Sequence, residues 1–457
     1  MRRVLMGWLL NGAYLLAAVL VLPWLVWAAV FHGKYREGYA QKLLGRVPRR
    51  SDKGPCVWLH AVSVGEVNVL RTLVAELERR RPDIQLCVST TTKTGFDLAR
   101  QRFATHTVFY CPLDFTWAVT AALRRVRPDL LVLAELELWP NLIAAARRRG
   151  ANVAIVNGRL SDKSFRGYRR LGRPIANVLQ RLSLIASQDA NTARRFLELG
   201  AARQAVRVTG SLKFDGAQTS RENPATRELR ELARVADGDV VLLAGSTQAP
   251  EEEHAIEAYR TLAAEFPALR LIIVPRHPQR FDAVADLLDA SGMPWIRRSV
   301  LAQGTQLSSG PGVGTNKKRG KELRPLLLVD TVGELGAWWG VADIAFVGGS
   351  LGSRGGQNMI EPAAYGAAVC FGPNTRNFRD IVEALRQADA ARVVADRGEL
   401  TAFVRQCLED RPWAAALGER AQRLIVSQLG ATERTLALLE PLLPAEAASR
   451  DPQLTAA

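Results

Sequence analysis

Glu66 stands three residues after Ser63, where the apolar run 57–59 gives way to a periodic stretch, and a carboxylate so placed has two uses. It can complete a capping box, with Ser63 capping a helix and the Glu66 side chain returning to the Ser63 N–H. It can also face a cleft and accept the proton of a hydroxyl group. Glu135 and Glu137, in Glu135-Leu-Glu137-Leu-Trp-Pro140-Asn, pose a similar choice. In extended backbone both point to one side, and each raises the other's cost of ionisation. At a helix start they oppose the dipole, with Pro140 in the first turn. Lys213 lies in the loop Gly210-Ser-Leu-Lys213-Phe-Asp215, just after a strand-like run. Arg276 and His277 emerge between Pro275 and Pro278, either an anion binder held rigidly or a plain loop. Lys163, Arg166 and Arg169 beside Tyr168 form a basic stretch that meets phosphates or water.

Short apolar runs position these residues. Runs at 57–59, 84–89, 130–134, 153–156 and 206–208 each end in a polar cluster and alternate with helical stretches, the pattern of a parallel, doubly wound α/β sheet. The order repeats at 240–244, ending at Gly245-Ser-Thr and a helix opened by Glu251 to Glu253, then at 271–274, 326–329, 344–347 and 368–371. Between the last two lie Gly348-Gly349, Gly355-Gly356, Asn358 and Glu361-Pro362. Ligands of open α/β sheets bind at the carboxyl ends of strands, and a helix N-terminus suits a phosphate. A glycine-rich turn with no ligand satisfies the same residues. Asp237-Gly-Asp239 precedes a strand instead of following one, and reads as a turn.

The chain has 457 residues, 48% hydrophobic and 23% charged, with a net charge of +16. Two cores are feasible, disorder is excluded, and anionic partners are favoured. Five scattered cysteines include no Cys-x-x-Cys pair, so neither a disulfide framework nor a zinc site is indicated. Residues 4–31 contain no charged side chain, more than the roughly 20 residues needed to span a bilayer. An uncleaved anchor is expected over 1–32, with Trp24 and Trp27 at the interface. A basic juxtamembrane segment follows at 33–53, carrying Lys34, Arg36, Lys42, Arg46, Arg49, Arg50 and Lys53, which places the body on the cytoplasmic side. Arg2 and Arg3 leave open a helix lying in the interface. The stretch 302–324, rich in Gly, Ser and Lys, reads as a flexible insertion.

His60-Ala-Val-Ser63-Val-Gly-Glu66, Glu135-Leu-Glu-Leu-Trp-Pro-Asn141, Gly210-Ser-Leu-Lys-Phe-Asp215, Pro275-Arg-His-Pro278, and Gly348-Gly-Ser350 with Gly355-Gly-Gln-Asn358 together resemble, in order, the motifs of the Kdo (3-deoxy-D-manno-octulosonic acid) transferases. The resemblance covers nearly the whole chain. It implies a GT-B fold, two Rossmann-like doubly wound domains facing a cleft: an acceptor-side domain at 54–216, a linker at 217–239, a CMP-sugar-binding domain at 240–430, and a C-terminal helix and tail at 431–457. The implied activity is inverting transfer of Kdo from CMP-Kdo to a lipid A precursor (lipid IVA) at the cytoplasmic face of the bacterial inner membrane, in contact with its phospholipid. Neither metal nor cofactor is expected, and nucleic acid is not an expected partner. By the same resemblance Glu66 is the general base, and Glu135 and Lys213 steady the transition state. Pro275, Arg276, Val332, Gly333, Glu334, Asn358, Met359, Ile360 and Glu361 hold CMP. Leu136 replaces the family's usual threonine, Val332 its common methionine and Gln357 its usual histidine; no proposed catalytic group is lost.

Two other functions fit parts of this pattern. A nucleotide-sugar epimerase or another envelope glycosyltransferase would share the fold, and CMP against UDP binding separates them. A membrane-tethered binder of nucleic acid or anionic lipid would use the charge and the apolar segment, but no basic patch interleaved with aromatics supports it.

Overall fold

The computed structural model describes residues 37–51, 54–301 and 324–445, with scattered positions between residues 8 and 31. The insertion at 302–324 lies outside them apart from Arg324, as does most of the expected anchor. Among the described residues no helix is long and apolar enough to cross a membrane, so the expected anchor helix is not supported. Where it is described, the N-terminal stretch makes polar ties to the body. The Asn11 amide donates to Thr116 Oγ1 (2.7 Å) and accepts from the Thr116 N–H (3.1 Å), and the Tyr14 hydroxyl donates to Asp114 (3.2 Å).

The chain divides into two units, residues 1–215 with 429–457, and residues 216–428. The first is built on a seven-stranded sheet of order β3-β2-β1-β4-β5-β6-β7, with β1 Cys56–His60, β2 Gln85–Thr90, β3 Thr107–Tyr110, β4 Leu130–Ala134, β5 Asn152–Gly158, β6 Leu184–Ser187 and β7 Val206–Val208. Every pairing is parallel. Such a sheet is covered on both faces, so its strands are apolar throughout and side chains alternate between two cores. Trp58, Leu131 and Leu133 enter one core; Val57, Leu59, Leu130 and Val132 enter the other. Trp58 is fully buried, and its indole N–H donates to Ser89 Oγ at 2.7 Å, which removes the penalty of an unpaired donor.

The second core also takes in Ala431, Leu436 and Leu439 of the C-terminal helix Ala431–Leu439. Asp215 holds the start of that helix, accepting from the Gly430 N–H (2.8 Å) and the Thr432 N–H. The helix Ala431–Leu439 thus belongs to the first unit.

The second unit repeats the plan: β10-β11-β9-β8-β12-β13-β14, all parallel, with β8 Val240–Thr247, β9 Leu269–Pro275, β10 Trp295–Arg297, β11 Leu326–Leu328, β12 Ile344–Val347, β13 Ala368–Phe371 and β14 Arg392–Val393. Ahead of β8, residues Pro224–Leu232 form a helix capped by Asn223. Asp239 is buried and accepts from Arg270 (3.1 Å) and Arg324 (2.7 Å), a structural turn.

Candidate active site

In each sheet the strand order reverses beside its first strand, between β1 and β4 in the first unit and between β8 and β12 in the second, where β11 also inserts between β9 and β10. The crevice at such a point lies outside the carboxyl ends of both strands. Glu66 follows β1 and Glu135 follows β4, so the first sheet's crossover brings together two carboxylates 69 positions apart in sequence.

Glu66 sits in the first turn of the helix Val64–Arg80. It does not close the expected capping box: Ser63 makes no side-chain cap, and the carboxylate accepts from the Val62 N–H (2.8 Å) and from Ser63 Oγ (3.1 Å). Partial burial raises its pKa, the Val62 N–H opposes that, and the Glu135 charge adds to it. A half-buried carboxylate with a raised proton affinity suits a general base.

Glu135 is not in extended backbone; its φ is 54°, a left-handed conformation. Of the two readings, the same-side pairing of Glu135 and Glu137 along a strand does not form, while Pro140 does stand in the first turn of the helix that follows. The turn sends Glu135 to Lys213, whose Nζ lies 3.1 Å from Oε1. Glu137 instead accepts from the Trp139 indole N–H at 2.9 Å. Burial first, then the charge of Glu66, pushes the Glu137 pKa up to about 7.

The supports of this cluster come from other strands. Asp114 receives the N–H groups of Asn141 (3.0 Å) and Leu142 (2.8 Å) and so caps the helix Pro140–Arg148 from outside it. Burial drives the Asp114 pKa to about 6. Asn157, also left-handed (φ 54°) and buried, accepts from the Leu212 N–H (3.0 Å) and Ser211 Oγ (3.3 Å), holding the loop of Lys213. His60 is fully buried; Nδ1 lies 2.9 Å from Ser89 Oγ, and the ring meets Trp139 edge-on at 5.7 Å. Burial lowers its pKa to about 4, so it is neutral and positions Trp139. Sequence reasoning passed over Asp114 and placed Asn157 at a strand end without a role, because a cap or loop tie supplied from a distant part of the chain has no local spacing to reveal it.

In the second unit the expected nucleotide-binding residues lie at carboxyl ends of strands. Pro275 ends β9 and Arg276 is exposed beyond it. Val332, 77% exposed, and Gly333 follow β11. The Glu334 side chain is engaged within the protein by Arg298 (2.9 and 3.1 Å) and Thr331 Oγ1 (2.7 Å). Beyond β12, Asn358 accepts from the Ile360 N–H and donates to Glu361, both at 3.0 Å, while Met359 and Ile360 are buried. The helix there, Ile360–Ala364, is a single turn. The Gly348-Gly349 loop is not an open phosphate cradle: its N–H groups are taken by Glu251.

Two parallel sheets, each with its polar residues at the crossover, define the class, a two-unit α/β protein. The fold is similar to that of UDP-GlcNAc 2-epimerase from Neisseria meningitidis bound to UDP-GlcNAc (TM-score 0.53, 13% identity, 84% of this chain and all of that one). A glycosyltransferase from Rickettsia africae is also similar (TM-score 0.51, 11% identity, 86% of this chain and 99% of that one). Residues 37–216 match the family described as 3-Deoxy-D-manno-octulosonic-acid transferase (kdotransferase). The 3-deoxy-D-manno-octulosonic acid transferase of Bordetella pertussis is 34% identical over 95% of this chain and 99% of the relative. That of Haemophilus influenzae is 31% identical over 94% and 97%. The chain belongs to the 3-deoxy-D-manno-octulosonic acid transferase family. It is a glycosyltransferase, an enzyme of Kdo transfer in lipopolysaccharide biosynthesis.

Proposed function

We propose that the enzyme transfers Kdo from CMP-Kdo to a lipid A precursor, lipid IVA, with inversion at the anomeric carbon. The observation that carries this is the cluster at the first crossover: Glu66 with spare acceptor capacity, and Lys213 paired with Glu135 at 3.1 Å. Glu66 takes the proton of the acceptor sugar hydroxyl. The freed oxygen lone pair forms the new bond to the anomeric carbon, the bond from that carbon to the phosphate oxygen breaks, and its electron pair leaves with CMP. Lys213 offsets negative charge on the leaving phosphate or the donor carboxylate, and Glu135 steadies the oxocarbenium-like carbon.

Pro275, Arg276, Val332, Gly333 and the segment 358–361 hold CMP, with Glu334 contributing through its backbone because its carboxylate is engaged. A single phosphate is neutralised by cationic side chains, and the reaction needs neither metal nor cofactor. The enzyme works at the cytoplasmic face of the inner membrane, where the basic segment 33–53 meets anionic phospholipid.

Incubation of the purified protein with CMP-Kdo and a tetra-acylated lipid A precursor, followed by mass spectrometry, tests this. The expected product is the precursor carrying added Kdo, formed at the same rate after EDTA treatment. Absence of product with CMP-Kdo, or turnover abolished by EDTA and restored by a divalent cation, overturns the corresponding part of the proposal.

A further inference from the structure

The Glu251 carboxylate lies at the crossover point of the second sheet and is 1% exposed. Three successive N–H groups of the loop after β12 converge on it, from Gly349 (2.7 Å), Ser350 (2.9 Å) and Leu351 (2.9 Å). A fourth comes from Gln248, after β8, at 2.9 Å. Converging backbone N–H groups make an anion nest, and this one stands where open α/β sheets receive ligand anions. Its occupant is the protein's own side chain. Gly348 is packed so closely that a Cβ there would lie 2.6 Å from Thr247 Cα and 2.8 Å from Glu251 Oε2.

The loop held in this way supports the next one. Gly349 C=O accepts from the Gly356 N–H at 2.7 Å, and a Cβ on Gly349 would meet the Gln357 side chain at 3.0 Å. Ser350 Oγ donates to Val347 C=O (2.6 Å) and accepts from the Gly372 N–H (2.8 Å), tying the same loop to the ends of β12 and β13. Gly356 and Gln357 run directly into Asn358 to Glu361.

We infer that Glu251 is a positioning residue for donor binding: a built-in anion that fills the nest at the second crossover, fixes loop 348–351 and through it sets the segment 355–361. The inference rests on the assignment of residues 358–361 to the donor nucleotide. It also places the donor phosphate outside the nest, whose four N–H groups are already taken.

Calorimetric titration of CMP into the full-length enzyme, with steady-state kinetics and thermal melting, tests it. Glu251→Gln keeps the volume but turns an amide NH2 toward N–H donors; Glu251→Ala leaves a carboxylate-sized space lined by the four donors. In both, CMP affinity falls and the donor KM rises by about tenfold or more, while the acceptor KM stays unchanged. Formate restores CMP binding to Glu251→Ala and does nothing for the wild type. Should Glu251→Ala not fold, Glu251→Gln decides by affinity and by the split between the two KM values. A folded variant that binds CMP within about twofold of the wild type overturns the inference, as does a loss in folded Glu251→Ala that formate leaves untouched. If the wild type itself fails to bind CMP, the donor assignment falls and this inference with it, an outcome distinct from the other two.

Discussion

Glu66 and Glu251 occupy corresponding places, each in the first turn of the helix after the first strand of its unit, and their surroundings make them opposites. Glu251 is buried and receives four backbone N–H groups, so its charge is satisfied for good. Glu66 receives one N–H and one hydroxyl and keeps room for a substrate proton. Glu66→Gln is therefore expected to lower kcat by at least about a hundredfold, with the melting temperature unchanged; near-normal turnover in a folded variant removes the base assignment. Glu137 supplies a pH test. Its folded pKa is raised from 4.5 to about 7, so the folded protein holds that proton more tightly than the unfolded chain does. The resulting stability is present below the ordinary carboxylate range and lost as pH rises towards 7. Melting of wild type and Glu137→Gln across that interval should favour the variant increasingly at the upper end, on the order of 1 kcal/mol once solvent screening is allowed for. A constant difference would mean that Glu137 titrates normally.

At the scale of elements, the helix Pro140–Arg148 starts without a side-chain cap of its own and relies on Asp114. The preceding loop carries Glu135, Glu137 and Trp139, so a loosened helix start displaces the charged cluster. Asp114→Ala should destabilise the protein by about 1–2 kcal/mol, as the loss of an N-cap does, and reduce kcat. Denaturant unfolding and turnover measured on the same sample check this, and a loss of stability without loss of rate separates the cap from the chemistry. Alternation of apolar runs with helical stretches was legible, because parallel strands buried on both faces leave an unmistakable pattern. The left-handed turn at Glu135 was not: a leucine-spaced pair of glutamates reads the same in strand, turn or helix start.

At the scale of the molecule, each unit brings its polar residues to the point where its strand order reverses, and the helix Ala431–Leu439 completes the first unit. Deletion of residues 429–457 removes Ala431, Leu436 and Leu439 from the core beside β1 and leaves Asp215 without its partners. Each fully buried leucine contributes about 1.5–3 kcal/mol, so the truncated protein should lose several kcal/mol, seen by calorimetry as unfolding of the first unit at lower temperature. Unit 216–428, continuous in sequence, should keep its own transition and, if it holds the donor as proposed above, should still bind CMP.

The amino-acid sequence by itself determined the α/β plan and its two sheets and named the candidate residues for the chemistry, since strand periodicity and motif order are local properties of a chain. Tertiary structure alone decided which charges meet. The β1/β4 crossover joins Glu66 to Glu135 and the loop at Asn157 delivers Lys213 to that pair, whereas at β8/β12 the expected phosphate cradle closes around Glu251. Backbone N–H groups carry no side-chain signature, so only the folded positions of their neighbours show whether they await a ligand or already hold one.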